Sequence, residues 1–195
     1  VMFANTITGI FLMNILILNG NPSPEDINFE KSITALADQL SDSGHQVELV
    51  DLRQLNIHPC TGCFKCWIKT PGTCVLNDDG IELSRKFIQS DHVILGSPLK
   101  LGYFSALMKN AIDRSIPNMH PHLEEVDGEI HHRKRYDSYP SIGVLLGREE
   151  DTDDEDIETA TDLFKRMCIN IRTSLSFVCF TEDSLEEAVN AVNFH

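Results

Sequence analysis

Five short apolar runs, each closed by turn residues and each followed by a stretch of helical spacing, leave this chain little choice of architecture. The runs are Asn14–Asn19, Gln46–Leu52, His92–Gly96, Ser141–Gly147 and Leu175–Phe180, all rich in Leu or β-branched residues. Between the first two, Phe29–Ser43 sets Ile33, Leu36, Ala37 and Leu40 on one helical stripe, and Gly44 supplies the stop. Ile81–Gln89, Phe104–Ile116, Asp156–Ile169 and Ser184–Val192 carry similar stripes. The fourth of the five helices opens on Asp153, Asp154, Glu155 and Asp156, whose charges suit the positive end of a helix dipole. Strand and helix thus alternate five times, the sequence form of a parallel sheet wrapped by crossover helices.

A chain of 195 residues builds one sizeable core more readily than two. The expectation is a single α/β domain over residues 13–195: a three-layer, flavodoxin-like fold with a five-stranded parallel sheet and helices on both faces. In such a sheet, ligands lie outside the carboxyl ends of the strands, where the strand order reverses. Residues 1–12 lack a basic leader region and read as an adventitious extension ahead of a more natural start at Met13. No stretch approaches the ~20 apolar residues that span a bilayer. A net charge of −14 excludes a chain whose main business is neutralising nucleic-acid phosphates. The one basic cluster, His131–Arg135, sits in Asn118–Tyr139, which reads as a long polar loop serving as a lid, a dimer contact or an excursion. Six cysteines without a secretory signal point to reduced thiols or metal ligands in a cytoplasmic protein.

Three loops carry candidate chemistry. After the first strand, Asn19-Gly20-Asn21-Pro22-Ser23-Pro24 leads into the first helix, and small, amide and hydroxyl side chains there can present backbone N–H groups to a phosphate. A simple capped turn is the alternative. The spacing G-x-G-x-x-G is missing, so a dinucleotide site on this turn is disfavoured. After the third strand, Pro98 and Gly102 can shape a flat wall for a planar ring. The third loop is Cys60-Thr61-Gly62-Cys63-Phe64-Lys65-Cys66, followed beyond the Pro71-Gly72 turn by Cys74. Three cysteines at C-x2-C-x2-C can surround one compact metal centre, with Cys74 as a fourth ligand, and the spacing favours an iron–sulfur cluster over structural zinc. Free thiols are the alternative. His58 reads as a surface or capping group, Cys168 and Cys179 as core residues, and Asp113-Arg114 as packing and salt-bridging.

Gly-Ser-Pro at 96–98, a glycine four residues after Pro98, and Leu-x-Lys-x-x-Ile-Asp-Arg from Leu107 to Arg114 resemble the second flavin loop of the NADPH-dependent FMN reductase and flavodoxin-like family. The Asn-Gly-Asn-Pro-Ser turn resembles its phosphate loop. The resemblance implies an NAD(P)H oxidoreductase that holds FMN near Asn21, Ser23, Asn28 and Phe29, against Ser97, Pro98, Leu99, Lys100, Leu101 and Gly102, and beside Gly147 and Arg148 after the fourth strand. It implies NAD(P)H as co-substrate, a quinone, a flavin, an iron–sulfur centre or a redox protein as acceptor, and a homo-oligomer. The cysteine run resembles that of the iron–sulfur flavoproteins, which implies a [4Fe–4S] cluster on Cys60, Cys63, Cys66 and Cys74. The family's aromatic residue after the Ser-Pro pair is replaced by Leu99-Lys100, leaving Tyr103 or Trp67 to meet the ring and Lys100 to place a charge at its edge. Two other classes stay open: an electron carrier docking on protein partners, and a metal-binding or thiol-sensing protein that has lost flavin.

Overall fold

A computed structural model of the protein describes residues 12–193. The expectation of an extension at residues 1–12 therefore falls, but for Leu12, outside the described residues. The principal strands are β1 (Asn14–Asn19), β2 (Gln46–Asp51), β3 (His92–Lys100), β7 (Ser141–Gly147) and β8 (Leu175–Phe180), parallel in the order β2-β1-β3-β7-β8. A two-residue strand, β4 (Tyr103–Phe104), adds antiparallel to the end of β3. The order reverses between β1 and β3, which is the flavodoxin-like switch point.

Strand alternation builds the two cores. Leu16 and Leu18 of β1 face a cluster with Leu83 of α3 (Gly80–Gln89), Met108 and Ala111 of α4 (Ala106–Asp113), and Ala160 and Phe164 of α5 (Asp154–Asn170). Ile15 and Ile17 face the opposite cluster, with Phe29, Ile33, Leu36 and Leu40 of α1 (Ile27–Asp42) and Ala188 and Val192 of α6 (Glu186–Asn193). Two helices therefore cover one face and three the other. The acidic opening of α5 forms a capping box: the Asp153 side chain accepts from the Asp156 N–H, and the Asp156 side chain from the Asp153 N–H.

Three expectations need correction. The third strand does not end at Gly96. It runs on to Lys100 because Leu101 and Gly102, both at positive φ (50° and 73°), turn it back onto Tyr103-Phe104 as a tight hairpin. The predicted helix over Phe104–Ile116 consequently starts only at Ala106, capped by Ser105, and gives way to a 3-10 turn at Ile116–Asn118. The stretch read as a long loop holds an antiparallel hairpin, β5 (Met119–Val126) and β6 (Glu129–Lys134), turning at Asp127 and Gly128 with φ of 52° and 82°. Its charged side chains reach the end of α5 and the residues beyond, Glu129 pairing with Arg166 and Glu124 with Arg172.

Candidate functional site

The carboxyl edge of β1 carries the turn expected to hold a phosphate. Gly20 lies against α4: its N–H donates to the Gly96 carbonyl (2.7 Å), its carbonyl accepts from the Ser105 hydroxyl (2.6 Å), and a Cβ there would stand 2.7 Å from the Met108 Cβ. Asn21 is buried and shapes the turn, its side chain accepting from the Ser23 N–H and donating to the Ser23 carbonyl and to Glu30. Ser23 and Asn28 are exposed, whereas Phe29 is sunk in the core beneath Gly147. Asp26 caps α1 through the Phe29 N–H. Behind the turn, Arg53 donates two bonds to Glu30 (2.9 and 3.1 Å) and also grips Asp51, while Asn19 donates to Glu30. Burial works against ionisation of Glu30, but the bonds from Arg53, Asn19 and Asn21 outweigh it, and its pKa is lowered.

The second loop is tighter than expected. Ser97, Pro98 and Leu99 are buried within β3, and the Ser97 hydroxyl accepts from the Ser105 N–H (2.8 Å). What reaches solvent is the hairpin tip, with Leu101 fully exposed (100%) and open space where a Gly102 side chain would be. Lys100 bridges to Glu149 (2.7 Å), tying this tip to the loop after β7. In that third loop Gly147 is buried, and the exposed Arg148 lies over the Phe180 ring at 4.2 Å. Tyr103 turns inward against Phe104 and Phe164, and Trp67 stacks on Phe64, its indole N–H donating to the Ile116 carbonyl.

All four motif cysteines converge. Cys60, Cys63, Cys66 and Cys74 line one cavity of about 300 Å³, together with Asp113, Arg114, Ile116 and Pro117. Phe64, in the left-handed region at φ 51°, starts a single helical turn, α2 (Lys65–Ile68), that carries Cys66 into the interior. Burial and then the neighbouring Cys74 push the Cys66 thiol up, whereas the Lys65 backbone N–H and the Thr61 hydroxyl draw the exposed Cys63 down. Among the described residues no three His, Cys, Asp or Glu side chains stand close enough to hold a single metal ion. A cubane cluster spaces its thiolates more widely than one ion does, so a cavity ringed by four cysteines fits that larger group.

The loop is fixed by α4. Asn110 donates to the Ile57 carbonyl (2.8 Å), and Arg114 donates to the His58 carbonyl (2.6 Å) and by two 2.8 Å bonds to the Asp78 carboxylate. Asp78 also accepts from the His58 ring and the His58 and Gly80 N–H groups, and Arg114 with these donors holds its carboxyl well below the usual range. Arg114 is a salt-bridging residue, as its place in the sequence suggested, but its partner Asp78 lies 36 positions away and carries no motif of its own, so the sequence did not name it. The Glu30–Arg53 pair escaped for the same reason.

Residues 13–129, more than half of the chain, match the family model described as NADPH-dependent FMN reductase. The chain belongs to that family. An iron–sulfur flavoprotein of Archaeoglobus fulgidus is 42% identical over 93 residues, 48% of this chain and 41% of the relative. One of Methanocaldococcus jannaschii is 33% identical over 105 residues, 54% and 53% of the two chains. The chain spans about half the length of the curated relatives it matches. In fold it is similar to the NAD(P)H:quinone oxidoreductase of Methanothermobacter marburgensis, with a TM-score of 0.63, 17% identity and 94% of each chain covered. An FMN-dependent NADH-azoreductase of Bacillus anthracis in complex with FMN superposes with a TM-score of 0.60 at 13% identity, covering 92% of this chain and 93% of that one. Among the described residues no helix is long and apolar enough to cross a membrane.

Proposed function

We propose that the chain is an FMN-dependent NAD(P)H oxidoreductase with FMN at the switch-point edge and a [4Fe–4S] cluster on Cys60, Cys63, Cys66 and Cys74. The observation that carries this reading is the presence, in one member of the FMN reductase family, of that edge together with a cavity ringed by four cysteines. Bound FMN would supply two-electron chemistry with a nicotinamide and one-electron chemistry with a metal centre or a quinone.

The chain's own residues have separate tasks. The α1 amino terminus offers its helix dipole and the Asn28 N–H to a phosphate, with the Ser23 and Asn28 side chains exposed beside it, while the Ile27, Phe29 and Glu30 N–H groups are already bonded to Glu25 and Asp26. The turn suits a phosphate in place, and less well in backbone and charge, because the Gly20, Asn21 and Ser23 N–H groups already donate to Gly96, Asn19 and Asn21. Glu25 and Asp26 border it, and Glu30 stands behind it with its charge met by Arg53. FMN affinity is therefore modest. Leu101 at the hairpin tip gives an apolar contact for a ring, and the Lys100–Glu149 bridge holds that tip beside Arg148. Ser105 meets Gly20 at the amino end of α4 and Arg114 follows its carboxyl end, so the two sites are separated by a helix about 12 Å long. Partners are a small-molecule or redox-protein acceptor, reached by a homo-oligomer.

Anaerobic mixing of the flavin- and iron-loaded chain with NADPH and with NADH tests the assignment: one of them bleaches the flavin bands within seconds. Flavin that ignores both nicotinamides yet is reduced by a reduced redox protein would replace the enzyme by an electron carrier. The net charge of −14 favours that second reading for a basic partner.

A further inference from the structure

Arg114 is bonded more fully than a packing residue needs, and at one atom less fully. Two of its nitrogens donate to the His58 carbonyl and the Asp78 carboxylate, joining the two arms of the loop on which the cysteines lie: His58 stands just ahead of Cys60 and Asp78 just after Cys74. The side chain is 2% exposed, so water does not serve it. Its third nitrogen, Nε, is buried without a hydrogen bond of ordinary geometry, the one such side-chain atom among the described residues, and of the four motif cysteines it is Cys74 whose thiol stands near enough to the guanidinium to interact with it. An unpaired buried donor is costly, and more so on a charged group. Since the same guanidinium forms part of the wall of the cysteine cavity, the acceptor for Nε is to be sought inside that cavity. Thiols are weak acceptors, whereas metal-bound thiolates carry negative charge and accept well.

We propose that Arg114 is a positioning residue for the cysteine-bound centre: its Nε–H donates to the Cys74 sulfur once that sulfur is a metal thiolate, while its other nitrogens pin the loop arms. This rests on the cluster assigned above. A hydrogen bond to a ligating sulfur favours the reduced, more negative state of an iron–sulfur centre, so Arg114 raises its reduction potential. Loss of that bond shifts the one-electron reduction equilibrium on the order of tenfold, which is about 59 mV.

The test uses the full chain reconstituted anaerobically with ferrous iron and sulfide, and compares wild type with Arg114→Lys, which keeps the positive charge and loses Nε. The wild-type centre is expected to have the higher potential in a reductive titration followed by electron paramagnetic resonance. Wild-type protein carrying 15N-arginine is expected to show a 15N coupling to the reduced centre, and this measurement decides alone if the variant does not fold. A centre that assembles but has the same potential in Arg114→Lys, or shows no arginine coupling, overturns the role of Arg114 and leaves the cluster standing. A wild-type chain that assembles no iron–sulfide centre overturns both.

Discussion

Replacing Asp78 by alanine removes the carboxylate paired, among the described residues, with a guanidinium that is itself 2% exposed, and the cost follows from that burial. The Asp78 carboxylate receives 2.8 Å bonds from both terminal nitrogens of Arg114, and in addition the N–H groups of His58 and Gly80. Breaking a buried pair by deleting one member leaves an uncompensated charge, a loss of about 3–5 kcal/mol. For a chain of this length each kcal/mol moves the melting temperature by roughly 2–4 °C, so Asp78→Ala lowers Tm by about 6–20 °C. Asp113→Ala is the control, since it removes only the exposed Lys109–Asp113 pair, a loss of about 0.3–0.5 kcal/mol. Calorimetry of both variants at neutral pH decides. The pH dependence has a defined sign. Arg114 depresses the folded pKa of Asp78, so its contribution is complete above the unfolded value of about 3.9 and is lost as pH falls below it toward the folded one. The gap between wild type and Asp78→Ala therefore narrows in acid. An Asp78→Ala protein as stable as Asp113→Ala would refute the argument from burial.

Three further outcomes follow from the same geometry. Asp26→Asn keeps the α1 cap and removes a charge beside the phosphate turn, so FMN binds about 2–5-fold more tightly by fluorescence quenching, and unchanged affinity would move the phosphate elsewhere. Leu101→Gly relieves a left-handed residue that buries nothing; the ~1–2 kcal/mol of strain, less the entropy of an added glycine, leaves about 0.5–1 kcal/mol of stabilisation, with weaker flavin retention if Leu101 meets the ring. In the metal-free chain at pH 8, Cys63 alkylates first, while Cys168 and Cys179, their thiols pushed up to about 12 by burial, react only on unfolding; early labelling of Cys168 in peptide mass maps would contradict the packing of α5.

The central strands were readable because parallel strands buried on both faces are written as continuous apolar runs, and β1 and β7 carry the expected bounds; β2, an edge strand with no fully buried residue, ends one residue earlier than expected. The β5–β6 hairpin was not read, since it leaves Leu123 and Ile130 exposed and lacks an apolar face to betray it. Asp127-Gly128 was the available signal, being a favoured pair for a two-residue hairpin turn. The turn at Leu101-Gly102 had no such chemistry, because leucine seldom takes positive φ, so a strand end was taken for an open loop. The cysteines were found by spacing alone. The ion pairs behind the two loops were not located, because Asp78 with Arg114 at the cysteine loop and Glu30 with Arg53 at the phosphate turn meet only through the fold.

The measurement that bears most directly on the account is an anaerobic absorption spectrum of the full chain, taken as purified and again after incubation with FMN, iron and sulfide. The account predicts flavin bands together with broad iron–sulfur absorbance that is lost in Cys63→Ala while the flavin bands remain. A chain that stays colourless after reconstitution would contradict it at its centre.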